Sequence, residues 1–416
     1  MTMATNNNPL LNCPPLRFPN FSDPWQQSTL GELLEFFPPN SLSWEQLNYS
    51  SGNIYNIHYG LIHKELPIIC SPTSSKLPYI NEEIETGRYC FCKSGDLVIA
   101  DASEDTHDVG KAIELVDCDK VKVLAGLHTI HARSSKDKIA IGFKGYLFAS
   151  NNLREQIKRV AQGTKVYSIS SKLISPLKTS FPSLAEQRKI ADFLSLIDER
   201  IETQRQTIEE RKKQKKALIC NFFKEIDFST CPISDFGELK NGYAFRSDTY
   251  DCNGSHRIIT ISNVTGDRYT NMSNHNSVRT LPKDIKPHQI LQHNDILISL
   301  TGNVGRVSLC SVDGDLLNQR VGVLKVFDSF YKQYVYHLLS SRHFEQSMID
   351  RGQGAAQLNI SKTDIENYNI PIPHNKSIIP ILSNTLNCFD ERIEVEEKLL
   401  GKYEEQKQYL LRKMFV

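Results

Sequence analysis

Two stretches of the chain share one hydrophobic rhythm. Leu194, Ile197, Ile201, Gln204, Ile208, Arg211, Lys215, Leu218 and Phe222 follow one another at alternating spacings of three and four. Leu386, Phe389, Ile393, Glu396, Leu400, Tyr403, Lys407, Leu410 and Met414 do the same. That spacing lines side chains along one narrow seam of a helix. Neither seam contains a proline, and its only glycine is Gly401. Each helix would run for ~40 residues, about 60 Å at about 1.5 Å per residue. A lone helix of that length with so thin an apolar stripe needs a partner. The simplest solution packs the two against each other as an antiparallel coiled coil. Polar seam positions recur at the same places in both copies, where opposite charges would fix the register.

The rest of the chain reads as strands and turns. Arg257–Ser262 and Asp295–Leu300 are β-branched runs, and Asp96–Ala100 matches the second of them. The whole is an internal repeat. Asp198–Phe223 matches Asp390–Phe415 without a gap. Upstream the echo is looser: Gly163–Ser170 lies against Gly354–Ser361, Ser94–Ile99 against Asn294–Ile298, and Leu30–Glu32 against Phe236–Glu238. The expected fold class is α+β (mixed α/β), with two globular regions alternating with two long helices in a pseudo-two-fold repeat. The expected segments are an N-terminal extension 1–26, a globular region 27–180, a long helix 181–227, a second globular region 228–372 and a second long helix 373–416.

Composition narrows the function classes. The chain has 416 residues, enough for two to three domains. No run approaches ~20 consecutive apolar residues, so no membrane span is expected. The first residues lack a signal-peptide pattern, which points to the cytoplasm. Ten scattered cysteines with no C-x-x-C read as free thiols. A net charge of +1 means that DNA binding would need locally placed cations or a partner sharing the electrostatic work. There is no phosphate-binding P-loop, dinucleotide or methyl-donor loop, nucleophile elbow or H-E-x-x-H. No catalytic residue and no metal site are assigned. His128-x-x-His131 lacks a cysteine partner at zinc spacing.

Candidate contacts to DNA are polar residues on glycine-punctuated loops. Thr301, Asn303 and Arg306 follow the Asp295–Leu300 strand, offering an amide for adenine and a guanidinium for guanine or phosphate. Lys240, Tyr243, Phe245, Arg246 and Ser247 mix cations with aromatics. Asn318, Gln319 and Arg320 present two amides and a guanidinium. Gln353 and Gln357 bracket a small-residue turn. In the first region the acidic loop 101–111 contributes Ser103, Thr106 and Lys111, and a neighbouring strand contributes His128, His131 and Arg133.

These motifs, in this order, resemble the specificity subunits of type I restriction–modification systems. Pro15–Phe21 with Trp25 and Leu30-Gly-Glu32 resembles their opening. Leu184–Leu194 through Asp198–Ile201 resembles their central conserved region. Gly242–Ser247, Asp295–Arg306 and Asn318–Arg320 resemble blocks of their target-recognition domains. The resemblance implies two target-recognition domains, each reading one half of a split, asymmetric site in double-stranded DNA. It implies two methyltransferase subunits and motor–nuclease (restriction) subunits as partners, with no membrane. S-adenosylmethionine, ATP and magnesium would belong to those partners, and this chain would carry no cofactor. Two departures stand out. Lys376-Ser-Ile378 replaces Ala185-Glu-Gln187 in the second copy, and the first region lacks a clear counterpart of Gly242–Ser247. The competing readings are a single-chain nuclease or methyltransferase with a coiled-coil arm, and a structural coiled-coil adaptor.

Overall fold

The computed structural model of the chain describes residues 13–64, 66–134, 138–352 and 358–416. It divides into two compact units, Met1–Arg205 with Leu399–Val416, and Gln206–Lys398. The first long helix runs from Leu184 to Glu225 and the second from Ile378 to Lys413. Pro380 falls in the first turn of the latter, where a missing N–H costs no helical bond. The division between units passes through both helices.

The first unit is built on β1 (Leu34–Phe37), β2 (Ile69–Cys70), β3 (Leu97–Ala100), β4 (Ala112–Leu115) and β5 (Thr129–Ser134), in the order β1-β5-β3-β4-β2. β3 reads Leu-Val-Ile-Ala and is buried throughout, as a strand covered on both faces must be. Helices α1 (Phe143–Ala149) and α2 (Asn151–Val160) pack over the sheet. Leu97, Ile99, Phe143 and Tyr146 share one core with Leu194, Ile197, Ile201, Leu410 and Met414 of the long helices. The opening segment belongs to this core: Trp25 meets Phe415 edge-on, and Arg17 pairs with the buried Glu186. Gln187 is fully buried, accepting from the Ala140 amide and donating to the Lys138 and Pro182 carbonyls. Among the described residues the second copy forms no such latch, and it buries the neighbouring Ile379 in its core.

The second unit repeats the plan with β6 (Gly237–Asn241), β7 (Ile296–Ser299), β8 (Val307–Leu309) and β9 (Val321–Val326) in the order β6-β9-β7-β8. Helices α3 (Ser329–Leu339) and α4 (Arg342–Gly352) follow. The order matches β1-β5-β3-β4, and so does the register, with Ala100 opposite Thr129 and Ser299 opposite Val321. Asp96 and Asp295 sit just before the matched central strands. Asp96 pairs with Arg133 and Asp295 with Lys325, each carboxylate also accepting the backbone amide three residues earlier.

Inside each unit the long helices meet antiparallel. In the first, Asp198 pairs with Lys407 at 2.5 Å and Arg205 with Glu404 at 2.6 Å. In the second, Lys215 pairs with Asp390 at 2.5 Å and Lys212 with Glu397 at 2.8 Å. The repeat exchanges the members of these pairs: each lysine–aspartate bridge in one unit is the other's with the helices interchanged. Ile197, Ile201, Ile208, Leu386, Ile393 and Leu410 of the expected seam are buried.

Candidate nucleic-acid interface

The second unit gathers three of the sequence-selected segments at one end of its strands, after β6, before β9 and after β7. Gly242 lies so close to the 318–320 turn that a Cβ there would stand 2.2 Å from the Asn318 carbonyl oxygen. The Tyr243 amide donates to Leu317, and the Gln319 amide donates back to Tyr243. The Leu300 amide donates to the Arg320 carbonyl, bringing up the loop that begins at Thr301. This arrangement leaves Arg246, Ser247, Asn303, Gln319 and Arg320 exposed, with Tyr243 and Thr301 half-buried. Arg246 is 80 % exposed, paired loosely with Asp248. Arg320 forms no ion pair among the described residues. Amide and guanidinium groups on one exposed rim are the donors and acceptors that base edges require.

Several of the expected contacts take other roles. Phe245 is buried against Tyr243 and anchors its segment. Asn318 is buried, its side-chain oxygen accepting the Arg320 amide, so it shapes the turn and does not face a ligand. Arg306 turns to Glu345 of α4 at 3.4 Å, and Lys240 is paired with Glu238. Gln353 and Gln357 lie outside the described residues.

The first unit brings the 101–111 loop to the 127–128 turn. The Asp101 amide donates to the His128 carbonyl, and the His128 ring stands 3.3 Å from the Asp101 carboxylate. His128 is not in a strand: it sits in the turn before β5 with φ of 55°, exposed, at the place that Arg320 occupies in the other unit. Ser103 is buried, accepting the Asp105 amide, while Thr106 is half-buried and Lys111 pairs with Asp108 at 2.6 Å.

His131 and Arg133 are corrected. His131 has 0 % exposure, donates to Asp96 at 2.8 Å and packs its ring at a tilt against Phe37. Arg133 holds the same carboxylate through two nitrogens. Burial alone would raise the Asp96 pKa, but the bonds from His131, Arg133 and the Lys93 amide outweigh it and hold the carboxyl below its ordinary range. Both side chains are therefore engaged inside the unit by the Asp96 carboxylate. Cys92, Asp96 and His131 do bring three metal-ligand types within 4.8 Å. Yet both Asp96 oxygens are occupied by cationic donors. Burial, then the charge of Asp96, pushes the Cys92 thiol well above its ordinary value, against the thiolate that a metal needs. The matching Asp295–Lys325 pair marks this as a structural ion pair common to both units.

Sequence reasoning passed over Lys64, Arg154, Lys158 and Arg412, which the fold brings beside the 101–111 loop in one cavity. They come from separate segments and carry no local signature.

Two copies of one family model, the type I restriction modification DNA specificity domain, match residues 22–211 and 225–401. The chain belongs to the type I restriction–modification DNA specificity family. It is similar to the type I restriction enzyme MjaVIII specificity subunit of Methanocaldococcus jannaschii, with 26% identity over 295 residues, 64% of this chain and 68% of that one. A type I restriction–modification S subunit from M. genitalium shares the fold, with a TM-score of 0.56 at 14% identity, covering 97% of this chain and 99% of that one. A chain solved in work on complex assembly and conformational transition of the type I R-M system aligns with a TM-score of 0.53 at 15% identity, over 93% of this chain and 96% of that one. The protein is accordingly a DNA sequence-specificity subunit, a class that is generally non-catalytic. Among the described residues, no helix is long and apolar enough to cross a membrane.

Proposed function

We propose that this specificity subunit carries two reading heads, each taking one half of a split, asymmetric site in double-stranded DNA. The observation that carries the reading is one frame bearing different loops. The link between the matched strand ends holds Thr301 and Asn303 in the second unit, and Asp101, Ser103 and Thr106 in the first. The exposed turn before the matched strand offers Gln319 and Arg320 in one and His128 in the other. Different donors and acceptors at equivalent places select different bases. Arg246, Ser247 and Tyr243 add to the second head, and Lys111 to the first.

The reading heads correspond to 27–180 and 228–372, with 181–227 and 373–416 as helical spacers. The spacers set the distance between half-sites and dock two methyltransferase subunits. Restriction subunits complete a complex that cuts or methylates adenine in DNA. S-adenosylmethionine, ATP and magnesium act on those partners, and the near-neutral charge of this chain fits shared phosphate binding.

The test is to express the chain with its methyltransferase subunits and map modified bases genome-wide. A split, non-palindromic motif is expected. A continuous palindrome would end the two-head reading.

A further inference from the structure

The first unit contains a cavity of about 660 Å³ whose charged lining is lopsided. Lys64, Lys111, Arg154, Lys158, Lys407 and Arg412 line it, against the single carboxylate of Glu155. Three of these cations are engaged: Lys111 with Asp108, Lys158 with Glu155, and Lys407 with Asp198. Lys64, Arg154 and Arg412 form no ion pair among the described residues. Apolar walls from Ile62, Leu66, Phe148 and Leu411 complete it.

One donor of a lining residue is buried and unsatisfied. Arg154 donates one nitrogen to the His107 and Val109 carbonyls, at 2.7 and 2.8 Å, while Nη1 has no partner. A buried guanidinium nitrogen lacking an acceptor is costly, and it leaves Arg154 with hydrogen-bonding capacity that the chain does not fill. Burial pulls the Arg154 guanidinium below its ordinary value, and the charges of Asp108 and Glu155 offset this only in part.

The internal repeat carries a different arrangement at the matching place. Lys111 and Arg306 are equivalent: the Ala100 amide donates to Lys111 and the Ser299 amide to Arg306, while the preceding glycines Gly110 and Gly305 donate to Ala100 and Ser299. Helices α2 and α4 are equivalent too, with Ile157 and Met348 each standing where a Cβ on the matched glycine would collide. That register sets Arg154 against Glu345. The second unit closes the position with the Arg306–Glu345 ion pair. The first holds two cations in its place.

We propose that this cavity is a phosphate-binding site, taking a phosphate-bearing ligand whose oxygens meet Arg154, Lys64 and Arg412. The phosphate belongs either to a soluble polyphosphate compound or to a DNA backbone that dips into the cavity mouth. The site stands whether or not the split-site reading does.

The test is calorimetric titration of the full chain with tripolyphosphate in phosphate-free buffer. Binding is expected, and the paired substitution Lys64→Ala with Arg412→Ala should weaken it by about ten-fold or more, equivalent to about 1.4 kcal/mol, with an unchanged melting temperature. Arg154→Glu, which writes the second unit's residue into the first, should abolish it. A non-specific duplex that displaces tripolyphosphate, and loses the same factor in the variants, assigns the phosphate to DNA. A duplex that binds alongside it assigns the site to a soluble compound. No tripolyphosphate binding, binding indifferent to all three substitutions, or capture of polyglutamate in its place would overturn the proposal.

Discussion

Lys407 of the second long helix meets Asp198 of the first at 2.5 Å, both largely withdrawn from solvent. Its counterpart in the repeat, Lys215 with Asp390, has the same separation. Exposed ion pairs add little, whereas breaking a buried one is expensive, so this partly buried pair should fall between. Asp198→Ala also removes the acceptor of the Tyr146 hydroxyl. We expect a loss of about 1–3 kcal/mol in urea unfolding. A double-mutant cycle with Lys407→Met should show coupling; additive losses would remove the pair from the account.

His337 occupies in the second unit the place of Tyr146 in the first. Its Nε2 meets Asn387 at 3.0 Å and its Nδ1 stands 3.7 Å from Asp390. Burial, then the charge of Lys215, carries its pKa from 6.5 down to about 3. In the first unit burial, then His128, carries His58 to about 4. The unfolded chain thus binds protons that the folded chain refuses. Stability is full above pH ~6.5 and falls as the pH drops toward 4, by at most about 1.4 kcal/mol per pH unit for each histidine. His337→Tyr should flatten its share of that slope. Denaturation midpoints at pH 7.5 and pH 5 measure it, and equal slopes in both proteins would refute the assignment.

Arg320 and Asn318 differ by two positions and should behave differently. Arg320 is exposed at the rim, whereas Asn318 is buried and bonded to the Arg320 amide. Arg320→Ala should cost about 1–3 kcal/mol on cognate DNA and far less on unrelated duplex, measured by competition binding of the assembled complex. Asn318→Ala should show its effect first as lost thermal stability. An equal loss on every duplex for Arg320→Ala would make it a phosphate contact.

Gly242 admits no side chain, because a Cβ would stand 2.2 Å from the Asn318 carbonyl oxygen. Gly242→Ala must push the 242–247 segment away from the 318–320 turn, at about 1–3 kcal/mol of stability by the usual penalty for overpacking. Cognate discrimination should weaken with it. Retention of both melting temperature and discrimination would show that the contact does not hold the rim together.

The seam at spacings of three and four announced the long helices, and the gap-free match from Asp198 to Phe223 announced their common role. Periodicity and repetition are local properties, carried by residues near one another in the chain. The block from Gly242 to Ser247 and the Asn318–Arg320 turn could be picked out as short runs of neighbouring polar and aromatic residues. Which polar side chains face outward was not. His131 and Arg133 read as outward-facing, yet both close on Asp96, more than thirty residues earlier, because this strand is covered on both sides. Alternation along a strand gives the parity of its side chains but does not say which face is solvent. The cavity around Arg154 was invisible for a further reason. Its cations come from segments that only the packing of loop, helix and C-terminal turn brings together, and their significance appears only when Glu345 is seen at the matching place in the other unit.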